Sequence, residues 1–284
     1  MSRTGDVASA WSDRAVELIR HIRDTQADAV GTAAAWCADA IAADGLVHLF
    51  GSGHSRMAVE EMFPRYGSYP GFHPLVELSL TFHTQVVGTN GQRQAMHLEQ
   101  TPGLAEAVLA NFAFGTRDVM VVFSVSGTST VAVEMAQGAR RLGLRTVAVT
   151  SLPHTTATRT ADRPVLADVA DLVIDLGTPV GDALVAVPGL DTQVGPGSTV
   201  AAVTVVNEIK VQTAALLVQR GIVPPVLTAA AVIGEQRSTE LFDAAYDEHA
   251  RRVASALGGA GAARAEARRT APSTRPAPTE PPPV

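Results

Sequence analysis

Lysine and cysteine are almost missing from this sequence of 284 residues, in which each occurs once, as Lys210 and Cys37. A single cysteine excludes a disulfide within the chain and predicts a reducing compartment, the cytoplasm. Basic residues number 22 against 28 acidic ones, and the resulting net charge of −6 argues against a nucleic-acid partner. No signal peptide opens the chain and we identify no apolar run long enough to span a bilayer, so no membrane contact is expected.

Nucleotide and metal motifs are missing as well. The phosphate-binding pattern G-x-x-x-x-G-K-[ST] does not occur, and the one lysine lies in an apolar helical pattern rather than in a glycine-rich loop. No set of His, Cys, Asp and Glu residues has the spacing of metal ligands. The sequence therefore predicts a protein without a metal or an organic cofactor.

Hydrophobic residues are plentiful, at 46%, and they fall into alternating strand and helix patterns. Apolar runs at 46–50, 119–123, 145–150 and 170–175 predict strands, and periodic stretches at 131–142 and 198–220 predict helices. Alternation of this kind is typical of βαβ units. We therefore predict an α/β fold, a three-layer αβα sandwich with a mostly parallel, doubly wound sheet.

Composition divides the chain into three parts. Residues 1–43 read as two helices that form an N-terminal extension on the core, and residues 44–256 form the α/β domain, with a last helix over 233–256. Residues 257–284 are rich in proline, alanine and arginine. Such a segment buries too little apolar surface to fold, so the tail is predicted to be disordered.

Polar turns follow three of the predicted strands, at 51–55 (Gly-Ser-Gly-His-Ser), 124–129 (Ser-Val-Ser-Gly-Thr-Ser) and 150–151 (Thr-Ser). Ligands of doubly wound sheets bind beyond the carboxyl ends of the strands, where all three turns fall. The second turn opens a helix, whose first amides and dipole favour an anion. Without a basic residue in the turn, a small phosphate monoester fits best; the alternative is a serine-rich turn that only caps the helix.

Glu208 lies among valines, isoleucine and alanines in the predicted helix that starts near Ser198, its expected N-cap. A carboxylate in an apolar helix is costly unless it has a partner or a task, which makes Glu208 a candidate functional residue. The alternative is a narrow exposed stripe on that helix. Loop histidines at 73, 83 and 97 are further candidates for acid–base work, although scattered histidines are more often ordinary surface or core residues.

Together, the three turns and the helix with Asn-Glu-Ile-Lys at 207–210 resemble a SIS (sugar isomerase) domain over about residues 35–225. The resemblance implies a phosphosugar ligand and a homodimer, in which the partner could contribute a side chain such as His73 or His83. It also implies which residues contact the phosphate and the sugar: Gly51, Ser52, Gly53, Ser55, Arg65, Ser124, Ser126, Gly127, Thr128, Ser129 and Ser151.

Within that family, the phosphoheptose isomerases carry a catalytic glutamate followed four residues later by an arginine, a pattern matched here by Glu61 and Arg65. Their catalytic histidine, in a His-Ile-Lys-Val context, is replaced here by Glu208. With two carboxylates at these positions, Glu61 and Glu208, the chain is similar to the etherases that act on N-acetylmuramic acid 6-phosphate. The segment at 97–106 and the proline-rich tail are most similar to those of a SIS group. At least one member of that group is described as an N-acetylglucosamine-6-phosphate dehydratase.

This resemblance implies a phosphosugar dehydratase. One of Glu61 and Glu208 would remove the C2 proton of the open-chain aldose, and the other would protonate the departing C3 hydroxyl. His54 or His97 would open the ring or assist departure. Two alternatives remain open, an aldose–ketose isomerase that uses the same first proton transfer and a non-catalytic phosphosugar sensor. Residues 1–43 show no helix-turn-helix, which disfavours a DNA-binding sensor.

Overall fold

The computed structural model describes residues 7–81 and 91–258 of the chain. Short 3-10 helices cover Gly53–Ser55 and Leu78–Leu80. In chain order the other elements are α1 Ala10–Thr25, α2 Ala27–Ala42, β1 Val47–Gly51, α3 Arg56–Met62, β2 Phe72–Pro74, α4 Gly91–Leu98, α5 Leu104–Leu109, β3 Val119–Phe123, α6 Thr130–Arg141, β4 Arg145–Thr150, α7 Leu152–Thr158, α8 Leu166–Val169, β5 Leu172–Asp175, β6 Ala183–Val185, β7 Val194–Pro196, α9 Ser198–Gln219, α10 Ala230–Ile233 and α11 Glu235–Gly258.

Five strands form one parallel sheet in the order β2-β1-β3-β4-β5. The chain leaves β1 toward β2 on one side, and from β3 it proceeds toward β5 on the other. The order therefore reverses between β1 and β3, the point at which α/β sheets open a ligand crevice. Gly51 at the end of β1 is paired with Phe123 at the end of β3, so the first two polar turns start side by side.

Helices cover both faces of the sheet, because side chains alternate along each strand. Val119, Val121 and Phe123 are buried in a core shared with α2, α3 and α9. Met120 and Val122 point to the other face, into a core shared with α5, α6 and α8. This arrangement confirms the predicted three-layer α/β fold and the helical N-terminus.

Residues 176–197 contain structure that the sequence pattern did not predict. This stretch is rich in glycine, proline and aspartate, which predicts a loop, but it contains a two-stranded antiparallel sheet, β6 with β7. The Trp11 indole of α1 donates to the carbonyl of Pro196 at 3.1 Å. Each strand has three residues, too few for a visible alternation of polar and apolar positions.

Helix ends also differ from the prediction. Ser198 is the first residue of α9 rather than its N-cap, and its amide and hydroxyl both donate to the carboxylate of Asp182, at 2.7 and 2.5 Å. Thr101 as N-cap and proline at the next position predict a helix from Pro102, but α5 starts at Leu104, after Gly103, whose φ is 80°. The last helix, predicted over 233–256, is α11, which starts at Glu235 after Gly234 with its φ of 81°; the short helix α10 before it was not predicted.

Among the described residues, α9 alone is long and apolar enough to cross a membrane, so the expectation that no such run exists was wrong by length and composition. This 22-residue helix packs against α1, α2 and α3, and 44% of its most apolar window is buried in the protein. Core helices of globular proteins have these properties, so length and apolar composition alone are weak evidence for a membrane span. The predicted tail lies almost entirely outside the described residues, because α11 reaches Gly258.

Candidate functional site

Two glycines shape the adjoining turns after β1 and β3. A Cβ on Gly51 would lie 2.6 Å from the carbonyl oxygen of Ser55, so only glycine lets the chain fold back into the 3-10 helix that precedes α3. Gly127 has a φ of 65°, and a Cβ there would lie 2.8 Å from the hydroxyl oxygens of both Thr150 and Thr155. The turns are thus closely packed backbone structures at the carboxyl edge of the sheet.

The 124–129 turn exposes little of its serines, since Ser124 and Ser129 are 7% and 3% exposed. Its backbone is closed by the Gly127 amide, which donates to the carbonyl of Ser124 at 3.1 Å. The Thr128 amide lies 3.4 Å from the Ser126 hydroxyl. Two of its amides are thus bonded within the turn, and donation from this turn to a small anion stays a prediction.

Ser151, the third predicted position, is committed to the fold. Its hydroxyl is fully buried and donates to the carbonyl of Thr178 at 2.7 Å, while its oxygen accepts the amide of His154 at the start of α7. The neighbouring Thr150 hydroxyl donates to the carbonyl of Val125 at 3.2 Å. The third turn is thus hydrogen-bonded to the second one. A contact between Ser151 and a ligand stays a prediction.

Between the first two turns lies a narrow cleft that is closed on its far side by the N-terminus of α9. Its lining contains three predicted residues, His54, Ser55 and Ser124, together with Ser198 and Thr199. His54 is exposed at the rim, on the 3-10 helix. The structure thus brings the first two predicted turns and one predicted histidine into a single cleft.

Glu99 bridges these turns, and the sequence did not single it out. The Ser52 hydroxyl donates to its carboxylate at 2.8 Å. Its own carbonyl accepts the Ser129 hydroxyl at 3.0 Å and the Val131 amide of α6 at 2.9 Å. Burial raises the pKa of Glu99, and the Ser52 hydrogen bond only partly opposes that rise.

Part of the predicted anion receptor is therefore occupied by the protein. The Val131 amide is donated to Glu99, and the Thr130 amide faces the side-chain oxygen of Gln100 at 3.4 Å. A phosphate at this turn would depend on the amides and hydroxyls that precede Thr130. His97, two residues before Glu99, has an exposed side chain on α4.

Glu61 occupies a second polar cluster, where α3 meets α9. Its carboxylate accepts the Asn207 amide at 3.1 Å, forms an ion pair with Arg65, and lies 3.7 Å from the ammonium of Lys210. Burial alone would raise the pKa of Glu61, but the hydrogen bonds from Asn207 and Arg65 and the charge of Lys210 outweigh it, and the net pKa is lowered. Glu61 is therefore ionised at neutral pH.

Lys210, the chain's single lysine, is only 5% exposed and holds this cluster together. Its ammonium donates to the carbonyl of Glu61 at 2.9 Å and to the hydroxyl of Ser68 at 3.0 Å. Burial lowers the pKa of Lys210, while the charge of Glu61 opposes that change. Arg65, a predicted substrate-binding residue, is paired with Glu61 in this cluster and does not lie beside the serine turn.

Glu208 is not brought to either cluster within one chain. Its side chain is exposed on α9, and its one hydrogen bond among the described residues is with Gln212, at 3.4 Å, one turn further along. This position agrees with the alternative interpretation of Glu208, in which it lies on a narrow exposed stripe of the helix. A catalytic role for Glu208 stays a prediction that requires an assembly of chains.

Of the remaining histidines, His73 lies in a separate buried network. Its Nδ1 is 3.0 Å from Nδ1 of His48, and Nε2 of His48 is 3.1 Å from the carboxylate of Asp118. Asp118 precedes β3, at the amino edge of the sheet, away from the cleft. His83 lies outside the described residues, and within residues 7–81 and 91–258 no three His, Cys, Asp or Glu side chains form a metal-binding group.

Comparisons with known proteins place these features in a family. The SIS domain profile matches residues 10–151, half of the chain, and this span includes the first two polar turns, Glu61 and Glu99. The UPF0309 protein of Streptomyces coelicolor is 34% identical over 231 residues, which is 80% of this chain and 90% of that protein. The UPF0309 protein of Listeria innocua is 31% identical over 240 residues, covering 84% and 95% of the two chains.

A search of solved structures finds the phosphoheptose isomerase GmhA from Neisseria gonorrhoeae, which is similar to this chain with a TM-score of 0.48 and 14% sequence identity. The match covers 75% of this chain and 98% of the isomerase. An identity and a TM-score this low carry no information about activity. The profile match and the relatives that are more than 30% identical are the findings that define the family.

Proposed function

The chain belongs to the SIS domain family, and from that premise we propose that it is an enzyme that removes water from an amino-sugar 6-phosphate such as N-acetylglucosamine 6-phosphate. The phosphate would bind at the 124–129 turn, where Ser124 and Ser126 supply hydroxyls and the amides before Thr130 supply further donors. The sugar would extend toward α3, which begins at the other side of the cleft.

One observation supports elimination in particular: a carboxyl group with a raised pKa is held between the two turns by the 2.8 Å hydrogen bond from Ser52 to Glu99. Loss of a hydroxyl needs a proton donor, a role that Glu99 would fill in its protonated form, which its raised pKa favours. Glu61, whose pKa is lowered, supplies the ionised carboxylate that a base requires. Environments that move two carboxyl pKa values in opposite directions are typical of acid–base pairs in enzymes.

In the proposed reaction, Glu61 removes the proton at C2 of the open-chain aldehyde, and the electrons of that bond form an enolate with C1. The enolate re-forms the aldehyde as a double bond develops between C2 and C3, and the C3–O bond breaks. Glu99 donates its proton to the departing oxygen, which leaves as water. The phosphate contacts at the turn orient C2 and C3, and such orientation can supply a large share of the acceleration.

The same first step supports a second candidate, aldose–ketose isomerisation, in which a proton returns to C1 and no bond to oxygen breaks. We test the two by incubating the purified protein with N-acetylglucosamine 6-phosphate and, separately, with glucose 6-phosphate, which has the C2 hydroxyl that a ketose requires, and by following mass and ultraviolet absorbance. Loss of one water with a new conjugated chromophore supports the dehydratase, whereas conversion of glucose 6-phosphate into a ketose of unchanged mass supports the isomerase. Binding without turnover would indicate the phosphosugar sensor.

A homodimer and a cytoplasmic location complete the proposal. The stripe of α9 that contains Glu208 continues through Val211 and Val218, which are 68% and 55% exposed in one chain. Apolar residues at this spacing form a face that a second helix can cover. If two α9 helices meet there, Glu208 becomes an interface residue. Its position near a site of the partner would then explain a carboxylate in an apolar stripe.

A further inference from the structure

An open groove of about 560 Å³ runs beside Glu61, between α3 and α11. Its walls contain Met57, Tyr66, Phe242 and Tyr246, with Glu61 at one side. Volumes of this size and linings that combine apolar or aromatic side chains with a few polar groups are typical of small-molecule sites. The groove is separate from the narrow cleft at the serine turn, and the proposed dehydration of a monosaccharide uses only Glu61 of its lining.

Three aromatic rings form one continuous wall of the groove. Tyr66 meets Phe242 edge to face, with ring centroids 5.5 Å apart, and Phe242 is stacked on Tyr246 at 6.1 Å. Tyr66 and Tyr246 remain 58% and 46% exposed, and Met57 is 45% exposed. Rings fixed by one another but open to solvent offer flat apolar faces with hydroxyls at their edges, a surface suited to an amphipathic ring.

Charges in the groove argue against an anionic occupant. Its polar lining consists of Glu60, Glu61 and Arg65, and both carboxylates are paired within the chain, Glu60 with Arg56 and Glu61 with Arg65. Arg65 is the one cation among the described lining residues, and Glu61 engages it. A second phosphate would therefore meet two carboxylates and no uncommitted cation, whereas sugar hydroxyls can donate to carboxylate oxygens.

Helix α3 connects the groove to the cleft of the serine turn. Ala58 lines the cleft, while Met57 and Glu61 line the groove, so the two cavities lie on neighbouring stripes of one helix. Thr199, which also lines the cleft, lies beside Met57, with its hydroxyl 4.0 Å from the sulfur. A ligand longer than a monosaccharide could therefore extend from one cavity into the other.

We propose that the groove of Met57, Tyr66, Phe242 and Tyr246 is a subsite for a second, uncharged sugar ring attached to the phosphorylated one. This inference rests on the proposed function, because it takes the 124–129 turn as the phosphate site and Glu61 as its neighbour at the reacting end. The phosphate end stays at the serine turn, and the uncharged ring stacks on the tyrosines. The substrate class is then an oligosaccharide with a 6-phosphate on its reducing sugar.

Titration calorimetry with three probes tests the subsite: N-acetylglucosamine 6-phosphate and its derivatives with a galactosyl group on O3 or on O4. At least one disaccharide should bind the unaltered protein about tenfold more tightly than the monosaccharide. Tyr246→Ala and Tyr66→Ala should each remove about threefold to tenfold of the affinity for that disaccharide. Neither variant should change the affinity for the monosaccharide.

Leu190→Ala is the matched control, because Leu190 is 55% exposed and lies in the β6–β7 loop, far from α11 in the chain; it should leave all three affinities unchanged. Thermal melting of each variant verifies that it folds. Equal affinities for all three probes would overturn the subsite while leaving the phosphate site intact. No binding of any probe would overturn the proposed function as well. A change of molecular mass in Tyr246→Ala would show instead that a second copy of the chain covers the groove.

Discussion

Glu61 and Glu99 are the same residue type, yet their surroundings move their pKa values in opposite directions. Glu99 is partly buried with one neutral donor, Ser52, so burial dominates and its pKa is raised. Glu61 is also buried, but donors on Asn207 and Arg65 and the ammonium of Lys210 stabilise its charge. The identity of a residue therefore says less about its chemistry than the number and charge of the groups around it.

Glu99→Gln tests the proton donor of the proposed reaction. The amide keeps the size of the side chain and can still accept from Ser52, but it cannot donate an acidic proton, so kcat/KM should fall by about 10²- to 10⁴-fold. The dissociation constant for the substrate should hardly change, because the phosphate contacts are intact. Glu106→Gln, a change at an exposed glutamate on α5, is the control and should keep full activity. Normal turnover by Glu99→Gln would remove Glu99 from the mechanism.

Lys210→Met tests the charge that supports Glu61. Without the ammonium 3.7 Å away, the pKa of Glu61 should rise, and the acid limb of the kcat/KM profile should move to higher pH. The buried Ser68 hydroxyl and the Glu61 carbonyl lose their donor, which should cost about 1–3 kcal/mol of unfolding free energy. Lys210→Arg retains the charge and should leave the acid limb closer to that of the unaltered protein. An acid limb that stays in place in Lys210→Met would show that the lysine acts through packing alone.

At the residue scale, the sequence predicted groups of site residues that are close together in the chain. It did not predict contacts between residues that are far apart in the chain. The 124–129 turn was predicted because strand, glycine and helix follow one another directly. Glu99 was not, since its partner Ser52 is 47 residues away and no short motif joins them. Its one signal in the sequence was its position two residues after His97, within the 97–106 segment that resembles a SIS group. Glu208 stood out because apolar residues surround it in sequence, but those neighbours are on different faces of α9.

Helices and strands were predictable where the apolar pattern is long. β1, β3 and β4 have four or five buried side chains in a row, and the structure has them where the pattern predicts. β2 contains Pro74 and has three residues, so its burial against β1 leaves no pattern of its own. The start of α9 near Ser198 agrees with the predicted helix, but its cap could not be predicted, because the acceptor that binds its first amide is Asp182, from the hairpin before it.

Gly127→Ala tests whether the serine turn depends on its left-handed glycine. A methyl group there has an unfavourable φ and collides with the hydroxyls of Thr150 and Thr155, so we expect a loss of about 2–3 kcal/mol in urea unfolding and weaker substrate binding. Gly143→Ala is the matched control, since Gly143 has a φ of 88° at the end of α6 but open space around its Cβ position. It should cost only about 1 kcal/mol and leave binding unchanged. Equal losses in the two variants would mean that the threonine contacts are not tight.

At the scale of the whole molecule, the exposed stripe of α9 predicts an assembly. Val211→Asp places a charge on the stripe, and because Val211 is 68% exposed in one chain, folding of the single chain should hardly be affected. If two copies meet through α9, light scattering should show half the mass of the unaltered protein. Val223→Asp, at a 79% exposed position outside the helix, is the control. An unaltered mass in Val211→Asp would place the interface elsewhere.

The stability of the entire chain should decrease in mild acid, because a titratable network is buried between β1, β2, the segment before β3, and α11. Burial first, and then the neighbouring His48 and His249, lower the pKa of His73 to about 3, although Asp118 opposes this. Burial raises the pKa of Asp118, whereas the hydrogen bond from His48 and those from the amides of Leu46 and Gly115 lower it, and the net pKa is lowered. The Asp118 carboxylate is therefore ionised and accepts a hydrogen bond from Nε2 of His48 at 3.1 Å. The Nδ1 atoms of His48 and His73 lie 3.0 Å apart, so one of them donates to the other.

A histidine whose pKa is lower in the folded state than in the unfolded one stabilises the fold fully only above its unfolded pKa, near 6.5. The contribution of His73 should therefore be complete at neutral pH and should decline as the pH falls from about 6.5 toward 3. His249, whose pKa burial also lowers and whose Nδ1 has no hydrogen-bond partner among the described residues, should add to the same decline. Urea unfolding at a series of pH values measures this slope.

His73→Gln removes one titrating group but keeps an N–H donor for His48, so its unfolding free energy should depend less steeply on pH between 6.5 and 3 than that of the unaltered protein. The exposed His97 provides the control, because His97→Gln should leave the slope unchanged. Parallel slopes for all three proteins would mean that His73 is protonated at little cost in the folded chain. The description of His73 as a neutral histidine buried beside His48 would then be wrong.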